Sequence, residues 1–238
     1  MGKKLNISKF APKVVYEKVE KDDKRFVHCR VLIVCEGEKT EPNYFRSFEL
    51  MKNHSDLVFE LAFDGGGINT MAVVNKAVEL KEEAEQRGKP YDAVWAVFDK
   101  DNFPDQDFDN AINKAEQNGI GCAWSNEAFE LWFVYHFDNR TTHMSREEYQ
   151  SVIVNRIKMC DKSYTKYRKN DPLMRQRLLE CGGSEELAIR YAKAQCQVFQ
   201  DKCFHKHNPA TTVYKLVELL TGKDETFNKL IRRKVNAK

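Results

Sequence analysis

Val31-Leu32-Ile33-Val34-Cys35 is an unbroken apolar run that stops at Glu36-Gly37. A strand with one face in water alternates apolar and polar residues. This one has no polar face, so both sides must be covered, as in a parallel sheet layered between helices. Ala93-Val94-Trp95-Ala96-Val97-Phe98 repeats the pattern and stops at Asp99-Lys100-Asp101. Leu57–Phe63, closed by Gly65-Gly66-Gly67, and Ile120–Trp124 read as two further strands. Helical segments separate them. Thr40-Glu41-Pro42 opens one whose Tyr44, Phe45 and Phe48 share a face, and Asn69 caps a second that runs to about Arg87. A third spans 107–118 before Gly119, and a fourth spans Glu127–His136 with Ser125 or Asn126 as its cap. Such alternation predicts an α/β fold built on a parallel β-sheet flanked by helices.

Beyond Ser145 the periodicity is helical throughout, with helices expected near 146–158, 173–180, 185–202, 210–220 and 225–234. The expected organisation is a polar basic leader over 1–25, with an edge strand near Val14–Tyr16, then an α/β domain over 26–145. An α-helical C-terminal extension follows over 146–238. No run of eighteen apolar residues occurs and the N-terminus lacks a signal-peptide pattern, which excludes membrane and secreted classes. Seven cysteines, an odd number, suit reduced thiols in a cytoplasmic protein better than a disulfide framework.

The net charge of +3 conceals an uneven distribution. Residues 26–161 sum to −10, whereas 1–25, 162–177 and 221–238 sum to +4, +5 and +4. An acidic body with basic flanks suits metal ions in one part and a polyanion on the other, although charged tails also serve solubility alone.

Parallel sheets place their sites at the carboxyl ends of the strands. Three acidic sets fall there: Glu36, the pair Asp99 and Asp101, and Glu127 with Glu130. Asp99 and Asp101 are the expected ligands of Mg²⁺ or Mn²⁺, which prefer hard oxygen donors, and Glu36 is a further ligand or the general base. Helix-dipole acids at N-termini are the plainer explanation for any one of them. Lys162-Ser-Tyr164-Thr-Lys166-Tyr167-Arg168-Lys169 interleaves rings with cations. That makes Lys162, Tyr164, Lys166, Tyr167, Arg168 and Lys169 candidates for pairing with phosphates and stacking on unpaired bases. The alternative is a solvated basic loop. Gly65-Gly66-Gly67 suits a strand–helix turn better than a phosphate nest, because no Lys-Ser/Thr follows. Cys196, Cys203, His205 and His207 match no standard zinc spacing.

The Glu36 strand, Gly37, Thr40-Glu41-Pro42, Tyr44-Phe45 and Asp99-x-Asp101 together resemble the Toprim domain of topoisomerases, bacterial primases and OLD-type nucleases. More narrowly, Glu36–Phe45, Ser125-Asn126-x-x-Phe129-Glu130-x-Trp132-x-x-x-His136-Phe137 and Asn208-Pro209-x-Thr211-x-Val213 resemble the RloB family over about Arg30 to Leu220. The resemblance implies a Toprim-fold protein of bacterial defence and restriction–modification loci, paired with an RloA-like ATPase. Its implied activity is metal-dependent cleavage of RNA, transfer RNA included, or DNA. By the same likeness Glu36 takes the acid/base position and Asp99 with Asp101 the metal-ligating positions. Glu130 is a candidate second-metal or catalytic ligand, and His136 a candidate catalytic group, with a core role for each as the alternative. The rival function is a non-catalytic module that regulates its ATPase partner. A homodimer stays open on sequence.

Overall fold

Parallel pairing of the two buried runs organises the rest of the chain. The structure, a computed structural model, describes residues 27–49, 57–67, 69–101 and 103–236. The leader and the edge strand expected near Val14–Tyr16 lie outside the described residues. Strand β1 (Val27–Cys35) sits between β2 (Leu57–Gly65) and β3 (Ala93–Asp99), with β4 (Gly121–Asn126) beyond β3 and the two-residue β5 (Ala210–Thr211) at the edge. β1 to β4 are mutually parallel and β5 is antiparallel to β4. The α/β expectation, a parallel sheet flanked by helices and followed by C-terminal helices, holds.

Side-chain parity divides the core in two. Cys29, Val31, Ile33 and Cys35 of β1 join one apolar cluster, while Leu32 and Val34 join the other. The second cluster is covered by α2 (Thr70–Gln86) and α3 (Asp105–Gln117), through Val73, Val74, Ala77, Phe108 and Ala111. The first is covered by α1 (Thr40–Arg46), α4 (Glu130–Tyr135), α5 (Arg146–Cys160), α6 (Met174–Glu180), α7 (Glu185–Val198), α8 (Val213–Leu220) and α9 (Glu225–Asn236). The C-terminal helices therefore share one core with the sheet. With both faces apolar, alternation alone cannot fix the strand register. A close approach does: a Cβ at Gly121 would lie 2.6 Å from the Trp95 ring, and these two residues are register partners. No helix among the described residues is long and apolar enough to cross a membrane.

Several expected boundaries move. The helix foreseen over 210–220 begins only at Val213, because Thr211 and Thr212 are drawn to the β4 edge. The Thr212 amide donates to Trp124 O at 2.8 Å, its hydroxyl donates to Cys122 O at 2.9 Å, and Thr211 Oγ1 meets Ser125 Oγ at 2.9 Å. Ser125 and Asn126 are consequently strand residues and not helix caps, and α4 starts at Glu130. α7 stops at Val198, short of the expected 202.

Candidate metal centre and nucleic-acid cleft

The register Cys35↔Val97 and Asp99↔Ser125 aligns the carboxyl ends of β1, β3 and β4. Glu36 extends the β1 ladder by donating its amide to Val97 O at 2.9 Å. Its carboxylate turns back over β3, where Oε2 accepts the Asp99 amide at 3.3 Å and the Thr70 hydroxyl at 3.5 Å. Burial pushes Glu36 up to about 7, against the lowering influence of the Asp99 amide. Asp101 follows the strand end in a turn with φ of +39°, a left-handed backbone that Asp tolerates better than most residues. Strain of this kind gathers at functional sites, and here it aims the second carboxylate of the pair.

Two further acids join these three. Glu130, at the first position of α4, is only 3 % exposed and accepts from Gln150 Nε2 at 3.2 Å. Glu41, in the first turn of α1, is 6 % exposed. Its inward position depends on Gly37, since a Cβ there would lie 2.2 Å from Glu41 Oε2. Burial first, then neighbouring carboxylates, raises both Asp99 and Glu41 above the usual carboxylate range. Asp99 Oδ1 and Glu41 Oε2 are buried without a hydrogen-bond partner.

From α5 a guanidinium faces this cluster. Arg146 reaches Asp99 Oδ2 through Nη2 at 3.3 Å, Asp101 Oδ2 through Nη1 at 3.3 Å, and Glu130 Oε2 through Nε at 4.0 Å. No three His, Cys, Asp or Glu among the described residues are set to hold a metal ion, and the guanidinium bridges the two aspartates. The donor set still suits a hard divalent cation. It offers carboxylate oxygens only, and two of them are buried without a partner.

Above the acids opens a cleft of about 810 Å³ lined by Glu36, Lys39, Asp99, Asp101, Arg146 and Lys169. Of the basic segment, Lys169 lines this cleft, and the Thr40 hydroxyl donates to its O at 2.8 Å. Lys162, Lys166, Arg168 and Lys169 are exposed.

The tyrosine part of the expected interface is corrected. Tyr164 is 0 % exposed, with the Arg168 and Arg177 guanidinium groups over its ring at 5.1 and 5.7 Å, so no base can stack there. Tyr167 is half-buried against the core and its hydroxyl is buried, so it too is occupied by packing. Arg175 and Arg177 pair inwardly, with Glu185 at 2.6 Å and Asp171 at 2.7 Å.

His136 is corrected as well. It is fully buried between Tyr44 and Trp132, with ring centroids at 6.4 and 5.3 Å, and its Nδ1 lies 2.9 Å from Trp132 O. It is a core residue outside the cleft lining. Burial lowers it to about 4, so it stays neutral at pH 7.

The glycine run is a plain turn. The Gly66 and Gly67 amides are spent on Cys35 O and Glu36 O, both at 2.8 Å. In the Cys/His group, His205 pairs with Asp109 and His207 with Asp201. A second cavity of about 610 Å³ lies at the β4 edge among Trp95, Trp124, Phe199 and Phe204, remote in composition from the acidic chemistry.

Glu41, Lys39 and Arg146 are the site residues that sequence reasoning did not assign. The Gly37–Glu41 spacing and the Ser145–Glu148 capping box, which fixes the start of α5, were the available signals.

No curated protein and no solved structure matches the chain. The family model described as RloB-like protein matches residues 31–220, four-fifths of the sequence, and it spans every acid of the cluster together with Arg146 and Lys169. The chain belongs to the RloB-like protein family.

Proposed function

We propose that the chain is a Toprim-type, Mg²⁺- or Mn²⁺-dependent nuclease that cleaves phosphodiester bonds in RNA, transfer RNA included, or in DNA. In this reading it is the effector of an antiphage defence pair whose other member is an RloA-like ATPase. The observation that carries the chemistry is the meeting of Glu36, Asp99 and Asp101 at adjacent strand ends, under a cleft rimmed by Lys39 and Lys169. The ATPase partner and the defence role rest on the family resemblance.

In this reading Asp99 and Asp101 hold the divalent ion with Glu36, and Glu41 and Glu130 supply further carboxylate oxygens. When bound, the ion neutralises charge building on the scissile phosphate. The protein does the rest. Lys39 and Lys169 draw the backbone into the cleft. In this reading Glu36, which burial raises to about 7 in the absence of metal, takes or returns a proton at an oxygen of the reacting group.

Thermal unfolding tests the metal site directly. Mn²⁺ at a hundredfold excess over its Kd should stabilise the protein by about 2.7 kcal/mol, and Asp99→Ala should abolish the shift. An unshifted wild type would leave the ATPase-regulating module as the better account.

The rim is tested by charge reversal. Lys166→Glu, Arg168→Glu and Lys169→Glu combined should weaken nucleic-acid binding and flatten its salt dependence by roughly 0.7–0.9 in log–log slope per lost phosphate contact. An unchanged slope would return the segment to a solvated loop.

A further inference from the structure

The arginines of this protein are not alike. Arg175 grips Glu185 with two bonds of 2.6 and 2.9 Å, and Arg177 holds Asp171 at 2.7 Å. These are short, charge-assisted contacts of the kind that fix a structure. Arg146 is split over two different aspartates at 3.3 Å each, with Glu130 at 4.0 Å, and it grips none of them bidentately. It also leaves Asp99 Oδ1 and Glu41 Oε2 without partners. Its backbone is fixed, because the capping box of Ser145 and Glu148 pins the first turn of α5. Its head is held only by the longer, divided contacts, and the side chain borders the open cleft.

A divalent ion on Asp99 and Asp101 would sit about 2.1 Å from their oxygens. A guanidinium on the same oxygens would meet it as a like charge at close range, which is costly away from bulk water. The two cations therefore compete for Asp99 Oδ2 and Asp101 Oδ2. Lys39 and Lys169 border the same cleft, so a displaced guanidinium would be a third cation free to face a ligand there.

We propose that Arg146 is a displaceable internal counter-ion: it occupies Asp99 and Asp101 until a divalent cation takes them, and the freed guanidinium then contacts a nucleic-acid phosphate in the cleft. The proposal rests on the nuclease reading above and adds a step to it. Metal loading and substrate capture become linked, because the ion that claims the carboxylates also releases the group that grips the backbone.

The test is calorimetric titration of MnCl₂ into the full chain as wild type, Arg146→Ala and Arg146→Lys. It is paired with anisotropy of a short labelled single-stranded RNA, and of the DNA of the same sequence, in saturating Ca²⁺. Circular dichroism melts establish that each variant is folded, and the lysine variant keeps the charge should alanine fail to fold. Mn²⁺ affinity should tighten by about tenfold in Arg146→Ala, where the competitor is gone, and by less in Arg146→Lys. Oligonucleotide affinity should move the opposite way, with a salt slope smaller by about 0.7. A residue that merely supports the fold would weaken both. If the wild type binds Mn²⁺ and neither variant binds it more tightly, Arg146 is a fixed counter-ion and the proposal fails while the metal site stands. Tighter metal binding with unchanged RNA and DNA affinity would overturn the phosphate contact. Absence of Mn²⁺ binding in all three proteins would overturn the nuclease reading, and this proposal with it.

Discussion

Glu36→Gln is expected to lower nucleic-acid cleavage by roughly 10²–10⁴-fold and to stay low when Mn²⁺ replaces Mg²⁺. Asp101→Asn should lose activity too, but recover part of it in high Mn²⁺, which binds such sites more tightly. The two differ because added metal restores a weakened ligand set but cannot replace a proton carrier. The glutamine keeps an oxygen to accept the Asp99 amide, so the local geometry survives. Stability should separate the roles as well. Burial raises Glu36 to about 7 from an ordinary 4.5, so its contribution is full below 4.5 and is lost as pH rises through 7. Above that pH, without metal, the ionised carboxylate is a burden that glutamine lacks, and Glu36→Gln should melt higher than the wild type. Equal Mn²⁺ rescue of both variants would make Glu36 a further ligand only. Full activity in both would remove Toprim-type catalysis from this protein.

His136 should dominate the acid sensitivity of the helical layer. Burial lowers it from 6.5 to about 4, so its contribution is complete above 6.5 and is lost as pH falls through the window down to 4. Between pH 7 and 4.5 this amounts to roughly 2–3 kcal/mol. Asp99, Glu41 and Glu36 work in the opposite sense, since raised carboxylates favour the folded state as they protonate. The measurement is therefore a difference: urea unfolding of wild type and His136→Asn at the two pH values. Asn retains a group able to meet Trp132 O but does not titrate in this range. The wild type should lose the larger amount, while cleavage at neutral pH should be similar in the two. A matching pH slope would mean that His136 is not held neutral, and a large loss of cleavage in a folded variant would restore it to the chemistry.

The sheet and its three leading acids were legible for one reason: an apolar run with no wet face has only one kind of place to go, and the residue that ends it must sit at a strand end. That argument puts Glu36, Asp99 and Asp101 at strand ends; that β1 and β3 are neighbours follows only if the acids share one site, and in the sheet they are neighbours. It is silent on Glu41, whose carboxylate looks like any first-turn acid until the missing side chain of Gly37 is seen to make room for it. Arg146 was hidden differently. Its capping box marks where α5 begins, but which strand end a helix start faces is a tertiary fact. Tyr164 and Tyr167 show the reverse error. Alternation of rings and cations suggests a stacking surface, but it is equally produced by rings that pack inward while their charged neighbours reach water. β5 could not be foreseen from periodicity, because two residues have none.

That short strand bears on how the protein comes into being. Ser125 and Thr211 are 86 positions apart, and until the later residue is available the β4 edge lacks its antiparallel partner. An open edge beside a buried apolar strand is a template for pairing with other chains, and contacts so distant in sequence form slowly. The acids at the ends of β1 and β3 can gather early, whereas Arg146, Lys169 and the strand that seals the sheet are all synthesised afterwards. A nascent chain halted before Thr211 would carry the acids without a finished scaffold. The sheet that carries the acidic cluster is thus completed only when Thr211 becomes available to β4.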